Sequence, residues 1–191
     1  MKKIIFAFLL FLLTPLTTHA ISFDELTNNP AQFKNVHESK EDSYYIDVNT
    51  IKTIRYAPPY YTMKAQGYTI DYKYQLIMKH DVLTNYNYNR SFKSMAIKLR
   101  HEHPNMSTRQ IAEILVKELN KDSGISASTD NVTLYKFNGE LVGNPKSTYN
   151  NNNNNNYQSI HIASPSASIA NYMFYKGYNM YFFNPSLIKR N

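Results

Sequence analysis

The chain has 191 residues, a formal charge of +7, no cysteine, no tryptophan and 17 tyrosines. The length suits one domain with a real core. The missing thiol excludes disulfides, a cysteine nucleophile and cysteine-ligated zinc or iron–sulfur sites. The basic residues are scattered, which reads as solubility, and the export signal at residues 1–20 argues against nucleic acid as a partner.

Residues 1–20 read as a signal peptide. Lys2 and Lys3 form a positive start. Residues 4–13 are an apolar run, about 15 Å long as a helix and too short for a bilayer. Thr18 and Ala20 are the small residues a signal peptidase needs before the cut. Cleavage after Ala20 takes 20 residues from 191 and two charges from +7, leaving 171 residues at +5. No cysteine follows, so no lipid anchor is expected. No later stretch is apolar enough for a stable membrane span. The expected location is the periplasm, the cell surface or the medium.

A helical turn is expected at 23–26, a strand near 33–38, a polar turn at 38–43 and a strand at 44–47. Asp47 and Asn49 are turn formers, and an extended run follows at 51–56. Pro58 and Pro59 fix φ and remove two donors, so they punctuate the sheet. The chain resumes extended at 60–65, and Gln66-Gly67 offers a bulge. Residues 68–79 then alternate. Tyr68, Ile70, Tyr72, Tyr74, Leu76 and Met78 fall on one side, which predicts one long, half-buried strand. A turn at 80–84 leads to a partner strand carrying Tyr86, Tyr88 and Phe92, with 95–99 continuing extended or in transition.

Ser107 and Gln110 have capping-box spacing, and Ile111, Ile114, Leu115 and Leu119 make one apolar stripe. They predict the main amphipathic helix, at about 107–121, with Gly124 just beyond its end. A strand at 132–137, an Asn138-Gly139 turn and a short return at 140–142 follow. Seven consecutive asparagines at 150–156 lie in a low-complexity stretch, 146–158, expected as a disordered loop. An extended run at 159–163 follows. Ser164 and Pro165 are an N-cap and a first-turn proline. They open a second short helix, at about 165–176, ended by Gly177. A last strand at 178–183 and a basic tail at 187–191 close the chain. Residues 21–191 thus read as one α+β domain, an antiparallel tyrosine-rich sheet with two helices.

The segment Tyr45, Ile46, Asp47, Val48, Asn49, Thr50, Ile51 resembles one near the start of the exported bacterial proteins grouped with surface-adhesin protein E. Residues 55–61, Arg-Tyr-Ala-Pro-Pro-Tyr-Tyr, resemble a continuation found in uncharacterised exported proteins. The resemblance covers about 44–183. It implies an antiparallel sheet with helix packed on it, and binding of host matrix proteins at the cell surface as in the family's known members.

His101-Glu102-His103 gathers two imidazoles and a carboxylate, as zinc requires. It lacks HExxH spacing and runs straight into Pro104, so it reads as a solvated linker. No glycine-rich phosphate loop and no GxSxG elbow occur. No catalytic residue, metal or cofactor is assigned. Binding is expected instead from Tyr60, Tyr61, Tyr72, Tyr74, Tyr86, Tyr88 and Arg90, because tyrosine packs by its ring and keeps its hydroxyl wet. The ligand would be a protein or a glycan. Asp47 and Asn49 read as structural. The alternative is a secreted hydrolase with an unrecognised histidine–carboxylate site. A small outer-membrane barrel is disfavoured, because Asp71 and Lys73 interrupt one face.

Overall fold

Two twelve-residue strands, β4 (Tyr60–Asp71) and β5 (Leu76–Asn87), pair along their whole length and form the centre of the sheet. The computed structural model describes residues 20–144 and 157–187. Around the central hairpin lie β1 (Phe33–Glu38), β2 (Asp42–Asp47), β3 (Lys52–Ala57), β6 (Ile125–Lys136), β7 (Leu141–Gly143) and β8 (Gln158–Ser159). The sheet runs β1-β2-β4-β5-β6-β7, with β3 also on β4 and β8 also on β6, and every pairing is antiparallel. The helices are α1 (Phe23–Asn28), α2 (Phe92–Glu102), α3 (Thr108–Lys121) and α4 (Pro165–Tyr178). The protein is an α+β fold.

β2 and β3 share one edge of β4. β2 takes 67–71 and β3 takes 60–64. The chain crosses between them through a 3-10 turn, Val48–Thr50. Asp47 Oδ1 accepts from Asn49 N at 2.9 Å, Gln32 Nε2 donates to Asp47 Oδ2 at 3.1 Å, and Gln66 N donates to Thr50 Oγ1 at 2.9 Å. The Asp47 carboxylate is therefore engaged in shaping the crossover.

One face of the sheet is covered by helices. Met63, Ala65, Val82 and Tyr86 pack with Ala170, Met173 and Phe174 of α4, and Met95, Ile111, Leu115 and Leu119 extend that core. On the other face a smaller core of Ile21, Leu26, Phe33, Tyr45, Tyr68, Ile70 and Ile77 forms at one end only, under α1. Among the described residues nothing covers the far end of that face.

Capping signals read true. Ser107 and Gln110 close a complete capping box on α3. Ser164 and Pro165 start α4. The Asn138-Gly139 turn leads into β7, and Pro58-Pro59 turns β3 into β4. Four expectations are corrected. The strand expected over 68–79 is the end of β4, a four-residue turn and the start of β5. Asp71 Oδ1 accepts from Tyr74 N at 3.0 Å and Gln75 takes a φ of 52°, so the turn forms without glycine or proline. The turn expected at 80–84 is the middle of β5, with His80, Val82 and Thr84 buried in alternation. Residues 95–99 are helical, in α2, where Ser91 caps the start and Ile97 points outward, 60% exposed. The expected strand at 178–183 is absent. Asn179, left-handed at φ 52°, ends α4 after Gly177, and an irregular segment follows. The predicted leader, apart from Ala20, lies outside the described residues. So do most of the asparagine-rich stretch and the tail, though Gln158 is in β8.

His80 lies opposite Gly67 on the covered face, 5% exposed. A Cβ at Gly67 would come 2.7 Å from His80 Nε2, so the close approach requires glycine. Burial pushes the imidazole below its ordinary value of 6.5, against weaker upward pulls from the Met78 backbone and Asp81. The unfolded chain then binds the proton more readily than the folded one. This contribution is full above about pH 6.5 and is lost as pH falls below it. Urea midpoints measured from pH 7.5 to 5 should fall more steeply for the native chain than for His80→Gln. Equal slopes would remove this role for His80.

Candidate functional site

The uncovered end of the sheet carries a row of polar side chains. Arg55 pairs with Thr62, Thr62 with Asn85, Asn85 with Ser126 and Ser126 with Ser159. Directly opposed residues in antiparallel strands share a face. Five strands therefore contribute one polar group each, over about 19 Å at the usual strand spacing. The row forms the floor of an open groove of about 490 Å³. Tyr60 and Asn87 extend the floor, and Asp122 and Gly124, from the connection between α3 and β6, form a wall. Thr62 Oγ1 donates to Asn85 Oδ1 at 2.7 Å. That bond orients the Asn85 amide and leaves its nitrogen as a donor with no side-chain partner among the described residues.

The aim of Arg55 depends on a bulge. Lys52 faces Lys64 and Arg55 faces Thr62, with the register shifting between Thr53 and Arg55. Lys52 and Arg55 are three apart, so a regular strand would send them to opposite faces. Ile54 is the extra residue, and it stands 59% exposed. The bulge turns Arg55 onto the same face as Lys52.

The carboxylates nearby are already engaged. Asp122 Oδ2 lies 3.3 Å from Arg90 Nε, and its Oδ1 accepts from Gly124 N at 2.9 Å. Asp81, further along the same face, meets Lys64 Nζ at 3.0 Å and Asn131 Nδ2 at 2.9 Å. Burial pushes the Asp81 carboxyl up, but the bonds from Asn131 and Lys64 and the charges of Lys64 and Lys79 outweigh it and hold the group below its ordinary value. Lys52 and Arg55 are exposed and form no ion pair among the described residues.

The tyrosines expected to form one surface have separate fates. Tyr60 stands at the groove, 52% exposed. Tyr61 and Tyr86 also line the groove, but their rings pack on the helical side. Tyr61 meets Phe174 edge-on at 5.6 Å. Tyr86 is 2% exposed, and its hydroxyl donates to Ala170 O at 2.8 Å. Burial raises its phenol pKa. Tyr88 stacks on Phe174 at 6.1 Å. Tyr72 and Tyr74 lie at the opposite end of the hairpin. Tyr72 shares a 2.8 Å hydrogen bond with Ser43, and Tyr74 is exposed in the turn with Lys73 Nζ 5.1 Å from its ring. Arg90 caps α3, with Nη2 donating to Glu118 O at 2.9 Å and Asp122 O at 2.7 Å. Asp47 and Asn49 are in the crossover turn.

No protein-family model, curated protein or solved structure matches the chain. The groove's chemistry is therefore read from its own side chains. Among the described residues, no three histidine, aspartate or glutamate side chains group closely enough to hold an ion. His101, Glu102 and His103 are all exposed at the end of α2.

Thr62, Asn85, Asn87, Ser126 and Ser159 were not singled out by sequence. A correctly placed turn after Asp71 would have set Thr62 opposite Asn85 and found the row's centre. Arg55 was in view only as part of the 55–61 segment.

Proposed function

We propose that this chain is an exported protein that binds without catalysing, with the groove as its contact surface. The row of five polar groups on an open sheet face carries this reading. Its donors and acceptors are fixed by strands, which suits a ligand lying along the surface. The groove offers neutral hydroxyls and amides, one cation and a single carboxylate that is already bonded. Glycoside hydrolysis requires a second carboxylate, and a serine nucleophile requires a neighbouring base. Among the described residues no histidine lines the groove. Export rests on the charge–apolar–small order of residues 1–20. No described helix is long and apolar enough to cross a membrane.

The test titrates isotope-labelled residues 21–191 with a panel of matrix proteins and soluble glycans. Amide shifts clustering at Arg55, Thr62, Asn85 and Ser126, with the ligand recovered intact, are expected. Cleavage of a panel member, shifts confined to other regions, or no shift with any member would overturn the proposal. Expressed with residues 1–20 attached, the protein should be recovered outside the cytoplasm, beginning at Ile21. Retention inside with an intact leader would remove the export claim.

A further inference from the structure

We infer that the groove's ligand is a short oligosaccharide carrying an anionic group, an inference that rests on the groove being the contact surface. The row Arg55, Thr62, Asn85, Ser126 and Ser159 mixes donors and acceptors over about 19 Å. A chain of sugar rings presents hydroxyls of both kinds along its length. Asn85 supplies an amide nitrogen, without a partner among the described residues, beside the Thr62 hydroxyl, the pairing that vicinal hydroxyls accept and donate to. Tyr60, one rung away on the same face, offers a half-exposed ring to the apolar side of a sugar.

Charge complementarity adds the anion. The bulge at Ile54 places Arg55 and Lys52 together on this face. Asp122 and Asp81 are already bonded to Arg90 and Lys64, so they do not neutralise that pair. A guanidinium binds carboxylate or sulfate through two parallel bonds. An extended peptide is a poorer fit. It would seek a bare strand edge, and β3 is protected by its bulge, its two cations and Pro58-Pro59. Single-stranded nucleic acid is also a poorer fit, because it needs successive stacking rings and the groove presents one.

Calorimetry of residues 21–191 with tetragalacturonate, a heparin-derived sulfated tetrasaccharide and neutral maltotetraose tests this. At least one anionic tetramer should bind about tenfold or more tighter than the neutral one. Whether the carboxylated or the sulfated tetramer wins identifies the anionic group. Arg55→Gln should weaken that binding about tenfold, and Asn85→Asp should weaken it similarly by adding a repelling charge to the row. Both positions are solvent-accessible, and unchanged melting curves will confirm folding. Binding of neither anionic tetramer at millimolar concentration overturns the inference. Neutral maltotetraose binding as tightly, with loss in Asn85→Asp, overturns the anionic requirement while the groove stands. Anionic binding insensitive to both substitutions overturns the inference and the groove together.

Discussion

Replacing Gly124 with alanine will destabilise the protein by about 3 kcal/mol. Gly124 has a φ of +70°, where an L-residue costs about 1–2 kcal/mol. The added Cβ would sit 2.2 Å from Arg90 Cβ and 3.2 Å from Asn87 O. Neither neighbour can yield cheaply, because Arg90 Cβ is fixed to the backbone of a 3-10 turn, Tyr88–Arg90. Overpacking of that kind costs about 1–3 kcal/mol more. Any shift of Arg90 also disturbs its bonds to Glu118 O and Asp122 O, which satisfy the last carbonyls of α3. Asn87 N donates to Gly124 O at 2.8 Å, so the groove wall should move too, visible as a changed Asn87 amide signal. Arg90→Ala alone should cost about 1.5–3 kcal/mol through the lost charged bonds. Gly124→Ala disturbs the same guanidinium bonds that Arg90→Ala removes, so their effects should not fully add. A urea-unfolding loss under about 1 kcal/mol for Gly124→Ala would mean this junction is softer than its geometry implies.

What could be read from sequence was what is decided locally. A helix start needs one side chain bonded three residues on, and Ser107 and Ser164 announce theirs. The main hairpin was hidden because its turn, Tyr72 to Gln75, contains no glycine or proline. An apparent alternation ran straight through it. Tyr68 and Ile70 in fact face the small core, while Met78 opposes Thr69 on the other face. α2 was hidden for the converse reason. Met95, Ile97 and Leu99 alternate, but Phe92, Met95, Ala96 and Leu99 also fit a helical stripe, and the Ser91 cap decides it.

The groove was less legible than the fold. Its floor comes from five strands, of which β6 and β8 are distant in the chain from the consecutive β3, β4 and β5, and alternation assigns faces only within a strand. Bringing Thr62, Asn85, Ser126 and Ser159 into one row requires the register of every pair between them. The Ile54 bulge is a further choice that no turn residue signals. Tyrosine abundance drew attention to Tyr61, Tyr86 and Tyr88, whose rings belong to the aromatic core with Phe174 and Phe182. Tyr178 joins the same core, 4.8 Å from Phe174.

Asn171→Ala will cost about 3 kcal/mol or more, because one buried amide secures the irregular segment after α4. Asn171 is 3% exposed. Its Nδ2 donates to Phe183 O at 3.2 Å, and its Oδ1 accepts from Phe183 N at 2.8 Å. Alanine leaves both backbone groups without partners in the core, at about 1–3 kcal/mol each. The segment also inserts Phe182 and Phe183, 0% and 1% exposed, with Phe182 5.5 Å from Tyr86 and 5.2 Å from Phe174. Loosening it therefore loosens the aromatic core, and near-ultraviolet dichroism should weaken along with the urea midpoint. Asn171→Asp separates hydrogen bonding from packing. Its carboxyl can serve Phe183 N–H when ionised, but can serve the carbonyl as well only when protonated. Burial and the bond donated to Phe183 O should raise its folded pKa above the unfolded value of about 3.9, so this variant's stability should be greatest in acid and fall as pH rises toward 7. The native chain carries no such term at this position. A variant whose stability deficit stays constant from pH 4 to 7 would show that packing around Asn171, rather than the paired bonds to Phe183, holds the segment in place.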